Sequence, residues 1–379
     1  MPKIYRLAKE IVKPEQQAVS FFFPDQEIQR LTPIGSGNVN DTFQVRLSSG
    51  ISYILQKLSP AVFPDPALVT ANLKSVTDHL HQELKKKNDT SIQIPQLLHA
   101  PGGEENFLDH QGNYWRILSY ISDSRTLTVL DSPVQGREIG RLLGCFHQLL
   151  STLEPTDLHD SLPGFHVTSR YLKDYDDIRR RNTSLTGTQE KECASIIKRF
   201  RDRADILERH RAELSVGIIH GDPKVANFLF SRESDTVISL IDLDTVMSGF
   251  LLHDLGDCLR SCCNPVGEEI ENSEKNFFDE EQFAMVMEGY CSQAFDLLGP
   301  KDQQLLIDAA WLISFELGLR FFTDHLAGNQ YFKVQRPGRN LHRALVQFRL
   351  ADSILKQRSR LDLLWQRIMM TQTNSTSNF

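Results

Sequence analysis

The 379-residue chain is predicted to be an α+β protein in two parts, a small N-terminal antiparallel sheet followed by a larger, mainly helical region. Three observations carry that expectation. Short apolar or alternating runs at 28–34, 42–47 and 52–58 are punctuated by Gly35, Gly37 and Ser48-Ser-Gly50, the pattern of strands joined by hairpins. From about residue 131 onward, apolar residues recur at helical spacing through most of the chain. Within that second part the polar loop His220-Gly-Asp-Pro-Lys-Val-Ala-Asn227 lies between apolar runs and is answered by Ile241-Asp-Leu-Asp244.

The bulk composition narrows the classes. Forty per cent hydrophobic and 24% charged residues is ordinary for a globular protein. A formal charge of -7 argues against a nucleic-acid or anionic-membrane binder, which needs a basic face. The six cysteines show no disulfide-framework spacing and are expected to be reduced thiols. His253, Cys258, Cys262 and Cys263 lack a paired CxxC arrangement and read as one buried helix face, not a zinc site. Charges fill the first ten residues where a signal peptide needs an apolar core. The apolar run 309–322 is too short for a bilayer and carries Glu316 and Arg320. A cytoplasmic protein acting on a small molecule, with neither nucleic acid nor membrane as partner, is therefore expected.

In chain order, residues 1–27 form a lead-in helix ending in the patch Phe21-Phe-Phe23, which docks on the body. The sheet part is expected to span 28–121 and to bind nucleotide. Gly35, Ser36, Gly37 and Asn38 join its first two strands and are candidate phosphate contacts, because glycines let backbone N–H groups approach a phosphate closely. A plain hairpin turn uses the same residues. The segment fits neither a Walker A loop nor a Rossmann fingerprint. Lys57 on the third strand is a candidate phosphate-pairing cation, although side chains alternate, so that Gln56 and Lys57 face opposite sides; its other reading is a solvated strand residue. Leu68, Leu73, Val76 and Leu80 predict a helix over 66–87, closed by Lys85-Lys-Lys87. A strand is expected at 94–99. The run 114–121 reads as a strand passing into a hinge, with the backbone near Ser119 and Ile121 open to a planar base.

The helical part is expected to span 122–370 and to hold the catalytic and acceptor sites. It begins with a helix over 134–150, where Gly144 permits close packing. A loop at 161–170 precedes charged helical sequence to about 211, in which Asp174, Asp176 and Asp177 alternate with arginines as a solvated face. A further helix begins at 250–260, and 280–360 is nearly all helix. The tail 371–379, rich in Thr, Ser and Asn, is expected to be disordered.

The chemistry concentrates in the polar loop. Asp222 and Asn227 stand in the pattern Asp-x-x-x-x-Asn, and Asp242 follows the next strand. In the kinase template an Asp in that place accepts the proton of the attacking hydroxyl, while the Asn and the later Asp hold magnesium on the nucleotide. Lys224 would offset charge on the transferring phosphoryl group. His220 is assigned to holding the loop, and Gly221 and Pro223 to shaping its turn. A turn ordered by Asp222 and Asn227 is the bland reading; the register of His-Gly-Asp, Lys, Asn and Ile-Asp-Leu-Asp argues against it.

These residues resemble the aminoglycoside phosphotransferase and choline kinase superfamily, marked by His-Gly-Asp-x-x-x-x-Asn and a following Ile-Asp-[Phe/Leu/Trp]-[Asp/Glu]. Leu240-Ile-Asp-Leu-Asp-Thr-Val-Met-Ser-Gly249, Asp254-Leu-Gly-Asp-Cys-Leu-Arg260, Tyr53-Ile-Leu-Gln-Lys57, Leu162-Pro-Gly-Phe-His166 and the segment from Arg320 to Phe332 resemble its N-acetylhexosamine 1-kinase-like branch. The resemblance runs from about Ile34 to Ala351. It implies a bilobal protein-kinase-like fold, ATP and Mg2+ as cofactors, Asp222 as base, Asn227 and Asp242 as metal ligands and the anomeric hydroxyl of an N-acetylated hexosamine as acceptor. Arg320, Asp324 and Tyr331 would then line the acceptor pocket, although Arg320 and Asp324 also stand at the spacing of an internal ion pair. Two departures stand out. Gln56 occupies the place of the phosphate-pairing lysine of protein kinases, leaving that task to Lys57 or Lys224, and Asn329 replaces an expected Asp. The competing readings are a kinase of another alcohol, such as choline, homoserine or an aminoglycoside, and a catalytically silent kinase-like binding protein.

Overall fold

The first three strands form where the alternation places them. The computed structural model describes residues 13–35, 39–181, 184–268, 276–334 and 336–376. Within these, β1 (Ile28–Pro33), β2 (Asp41–Leu47) and β3 (Ser52–Lys57) pair antiparallel, β5 (Tyr114–Ser119) adds to β3, and β4 (Phe107–Leu108) completes the order β1-β2-β3-β5-β4. The pleat sends alternate side chains to opposite faces. Val45, Leu47, Leu55 and Trp115 are buried on one face with Ala18 and Val19 of α1 (Pro14–Phe22), and Phe22 packs with Ala100 and Ile117. On the other face Gln56 and Arg116 are register partners, both buried, with Arg116 Nε and Nη2 donating to Gln56 Oε1 at 3.1 and 2.7 Å.

The strand expected at 94–99 does not form. Pro95 removes a ladder donor, and the segment makes a single bridge between Leu97 and Leu118, flanked by Leu98 N–H to Ile117 O at 3.0 Å and Ser119 N–H to Gln96 O at 2.8 Å.

The described chain divides into two units, one running to Pro66 and resuming over Pro95–Tyr120, the other comprising Ala67–Ile94 and the chain from Ile121 onward. Helix α2 (Pro66–Lys87), which follows the sheet strands in sequence, therefore packs with the helical unit. Its buried Asn72 holds it there, donating to His159 O at 2.8 Å and accepting His159 N–H at 2.8 Å.

The second unit contains α3 (Pro133–Leu150), α4 (Thr168–Arg181), α5 (Thr188–Phe200), α6 (Leu251–Cys262), α7 (Glu280–Ala294), α8 (Pro300–Leu326), α9 (Arg339–Lys356) and α10 (Arg358–Thr376). Helix α4 starts inside the expected loop, and α10 continues past residue 371 to Thr376. Two small sheets complete the unit: β6 (Ser124–Thr126), β8 (Phe228–Ser231) and β9 (Val237–Leu240) in the order β6-β8-β9, and β7 (Val216–Ile219) with β10 (Met247–Phe250). Trp311 and Phe315 stack at 5.6 Å in the core, with Phe200 and Phe348 against them. Helices α3 and α7 meet backbone to backbone: a Cβ on Gly140 would lie 1.9 Å from Val286 O, and one on Gly289 2.0 Å from Arg137 O. Among the described residues no helix is long and apolar enough to cross a membrane.

Candidate active site

Strand β7, with Ile218 and Ile219 buried, runs antiparallel to β10 and delivers the chain to His220. After Asp222 a single 3-10 turn, Val225–Asn227, leads into β8. The turn brings Asn227 back onto the carboxylate residue, its Nδ2 donating to Asp222 O at 2.7 Å and lying 3.4 Å from Asp222 Oδ2. Lys224 Nζ also bonds Asp222 Oδ2. Burial alone would raise the Asp222 carboxyl, but the Lys224 ammonium, helped by Arg260, holds it below the ordinary carboxylate range. His220 accepts Asp222 N–H at Nδ1 (3.2 Å) and donates from Nε2 to Ile241 O (2.9 Å), which makes it a neutral ring with its proton on Nε2.

Strand β9 ends at Leu240, and Asp242 follows in the left-handed region at φ 65°, ψ 52°. A non-glycine residue held there stores strain of the kind that collects at functional sites. Asp242 keeps an exposed side chain, but the protein packed around its carboxyl partly desolvates it and, with the Asp244 carboxylate, pushes it up to about 6, with Asp222 adding and Lys224 opposing. Three carboxylates that feel one another make a field that a cation relieves. Among the described residues no group of three or more His, Cys, Asp or Glu side chains is arranged to hold a metal unaided. One carboxylate and the Asn227 amide oxygen nevertheless fit magnesium, which takes few protein ligands and keeps water and phosphate oxygens.

Buried charges fix this loop from behind. Asp254 of α6, fully buried, accepts His220 N–H at 2.7 Å, Gly221 N–H at 2.8 Å and His147 Nε2 at 2.9 Å. His147 is bonded in turn through Nδ1 to Tyr290 Oη at 3.0 Å. Thr245 Oγ1 donates to His220 O at 2.7 Å. Gly221 takes φ +86°, and a Cβ there would meet Thr245 O at 2.7 Å, so only glycine fits the turn before Asp222. The Gly221 carbonyl lies 2.9 Å from Nε2 of buried His166, whose Nδ1 lies 3.0 Å from Glu316 Oε1.

The acceptor-side candidates part company. Arg320 is enclosed by aromatic faces, with its guanidinium carbon 5.1 to 5.7 Å from the rings of Tyr171, Phe165, Phe332 and Tyr331. Its Nη2 lies 3.5 Å from Tyr331 Oη, so the structure brings Arg320 and Tyr331 together. Asp324 is a correction. It is buried and accepts the backbone N–H groups of Gln330, Tyr331 and Phe332 at 2.8, 2.8 and 3.0 Å and Asn340 Nδ2 at 2.9 Å. Its oxygens anchor the turn after α8 instead of facing a substrate or Arg320. Asn329, at φ +59°, sits in that turn in a conformation asparagine tolerates.

The candidates of the first unit are also revised. Ser36, Gly37 and Asn38 lie outside the described residues; Gly35 is exposed at φ +77°. Lys57 pairs with Asp41 at 2.6 Å and lies 5.9 Å from the Trp115 ring centroid, on the face that carries α1 and away from Gln56 and Arg116. Ser119 gives its N–H to Gln96 O at 2.8 Å, and its Oγ accepts Gln96 N–H at 2.9 Å. That N–H is therefore not open to a base, while the Ile121 carbonyl already accepts the Ser124 hydroxyl at 2.9 Å.

The model of the phosphotransferase enzyme family (APH) matches residues 30–296, well over half of the chain. The chain belongs to this family. It is an enzyme that transfers a phosphoryl group, with the kinase-like fold of an antiparallel sheet and a helical part. Among solved structures it is similar to a microcompartment-associated aminopropanol kinase (16% identity, 92% of this chain and 98% of that one, TM-score 0.62). It is also similar to an amicoumacin kinase in complex with AMP-PNP, Ca2+ and Ami (14%, 89% and 91%, 0.59) and to an ethanolamine kinase of Plasmodium vivax (12%, 84% and 82%, 0.52). At these identities the likeness establishes fold alone.

Several residues that hold the candidate site have no role assignable from sequence pattern alone. Asp254 and His166 stand inside motifs quoted for the resemblance, and Glu316 was weighed only as a charge interrupting an apolar run. That interruption was the available signal, because a carboxylate on a buried helix needs a partner.

Proposed function

We propose that this phosphotransferase transfers the γ-phosphate of ATP, bound with magnesium, to a sugar, at the anomeric hydroxyl of an N-acetylhexosamine. The observation that carries the reading is an ionised Asp222 sharing one unit with an arginine set among aromatic rings, near enough that Asp222 is one of the charges raising the Arg320 pKa.

With Oδ2 engaged by Lys224, Asp222 Oδ1 takes the hydroxyl proton of the acceptor. The acceptor oxygen bonds to the γ-phosphorus as the bond to the β-bridging oxygen breaks, and ADP leaves. Lys224 keeps the base ionised and offsets phosphoryl charge. Asn227 and Asp242 would hold the magnesium, which neutralises charge on the nucleotide phosphates. Gly35, Ser36, Gly37 and Asn38 are the proposed nucleotide contacts.

Arg320 favours a sugar over the amine acceptors. An ammonium group would meet a guanidinium already occupying the aromatic faces that could receive it. Hydroxyl and acetamido oxygens can instead accept from Arg320 and Tyr331.

The test is incubation with ATP, magnesium and a panel of sugars, amino alcohols and aminoglycosides, followed by phosphorus NMR. An anomeric phosphate formed from an N-acetylhexosamine is expected; product from choline or an aminoglycoside alone would overturn the sugar assignment. Asp222→Ala should lower turnover at least ~100-fold with nucleotide binding retained, and retained turnover would overturn the role of the base.

A further inference from the structure

His166 lies in the loop before α4, only 4% exposed, with its backbone in the left-handed region at φ +57°. Its two ring nitrogens address two acceptors, Glu316 Oε1 at 3.0 Å and the Gly221 carbonyl at 2.9 Å. A neutral imidazole has one N–H and one lone pair, so a neutral His166 would point a lone pair at either an oxygen of a carboxylate or a carbonyl. An imidazolium donates to both. The second oxygen of Glu316 accepts the Thr168 hydroxyl at 2.6 Å, completing the pair inside the protein.

We propose that His166 is a buried imidazolium that acts as a positioning residue, holding the Gly221 carbonyl and thereby the peptide plane that presents Asp222. The Gly221 N–H is held on its other side by the Asp254 carboxylate at 2.8 Å. An anion on the N–H and a cation on the C=O thus clamp the residue that precedes the base. The inference rests on the reading of Asp222 as that base.

The surroundings agree in sign. Burial would lower the imidazolium pKa, but Glu316, the Gly221 carbonyl and Asp257 raise it above the ordinary histidine value. Glu316 is held below the ordinary carboxylate range against its burial by His166 and by Arg320 one turn along α8. The His253 ring of α6 lies 4.9 Å from that of His166, tilted by 31°, and is kept neutral, pushed down to about 3 by burial and by the charge beside it. Glu208 reaches the same loop, accepting Thr168 N–H at 3.2 Å, and Tyr171 packs beside Glu316 and Arg320. A raised pKa means that the charged form is present below it and lost as pH rises through it, so turnover should fall on the alkaline side.

Nitrogen-15 NMR of histidine-labelled wild-type enzyme reads the proton count directly. Both ring nitrogens of His166 should stay protonated above the ordinary histidine value near 6.5; a lone pair on either nitrogen at pH 7, including a neutral ring facing a protonated Glu316, would overturn the proposal. His166→Gln should lower kcat by about 100-fold through misplacement of the base with the KM for nucleotide changed less than about threefold, and wild-type kcat would overturn it as well. Glu316→Gln should move the alkaline limb of kcat to lower pH; an unmoved limb would count against the imidazolium. Active Asp222→Ala would sink the base assignment whatever the NMR shows, whereas a neutral His166 would sink only this inference.

Discussion

Asp254 takes no part in the proposed proton transfer, yet it fixes the backbone of the loop that carries the proposed base. Its two oxygens collect the N–H groups of His220 and Gly221 and a ring nitrogen of His147, all out of water. Burial raises the carboxyl, and the hydrogen bonds from His147 and the Gly221 N–H bring it below its ordinary value. Asp254→Asn keeps the shape but sets an NH2 group against a buried N–H donor. An expected loss of about 3 kcal/mol in chemical denaturation follows from one charged hydrogen bond removed and one donor left unpaired, together with a lower kcat; unchanged stability would show that the backbone supports itself. At this scale the sequence was legible where a short spacing sets a local contact, as where Asn227 Nδ2 meets Asp222 O at 2.7 Å. It misled at Asp324, whose partners are mostly backbone N–H groups contributed by a turn that no side-chain pattern announces.

At the scale of elements, the loop is braced through the contact of α3 with α7, because His147 lies on one helix and Tyr290 on the other. The helices come close because Gly136, Gly140 and Gly144 line one stripe of α3, where added Cβ atoms would meet Gln282 Oε1 at 2.3 Å, Val286 O at 1.9 Å and Tyr290 O at 2.7 Å. Gly140→Ala must push backbone from backbone, which costs at least about 1–3 kcal/mol as overpacking. It should also lower kcat, since the shift reaches His147 two turns along; a stable variant with intact kcat would mean that the brace is not transmitted. The sequence marked Gly144 as a packing glycine from its place in an apolar stripe but could not name the partner, which lies over a hundred residues away. Strands with alternating side chains were likewise legible, whereas 94–99 was apolar enough for a strand yet carries Pro95.

At the scale of the molecule, the helical spacing from about residue 131 was readable and the packing of Ala67–Ile94 with the helical unit was not. An amphipathic helix declares that one face is buried without declaring against what. The two units also differ in how they are held. In the first, the turn joining β4 to β5 is organised by Asp109, which accepts Gln111 N–H and Asn113 N–H at Oδ1 (2.9 and 3.0 Å) and Asn113 Nδ2 and Trp115 Nε1 at Oδ2 (2.8 and 3.0 Å). Burial works against the carboxylate, but the Trp115 and Asn113 hydrogen bonds outweigh it and lower its pKa to about 2. The sign follows: a depressed carboxyl stabilises the fold above its unfolded value near 3.9, and that contribution disappears as pH falls through about 2. Asp109→Ala leaves the buried Trp115 N–H without its acceptor, a loss of about 1–3 kcal/mol, equivalent to roughly 5- to 150-fold faster opening. Hydrogen exchange should therefore accelerate by that factor in β4 and β5 while β7 and β8 keep wild-type protection. Equal acceleration in both units would instead mean that they open as one cooperative block, and the stability of the sheet could not then be tuned apart from that of the catalytic loop.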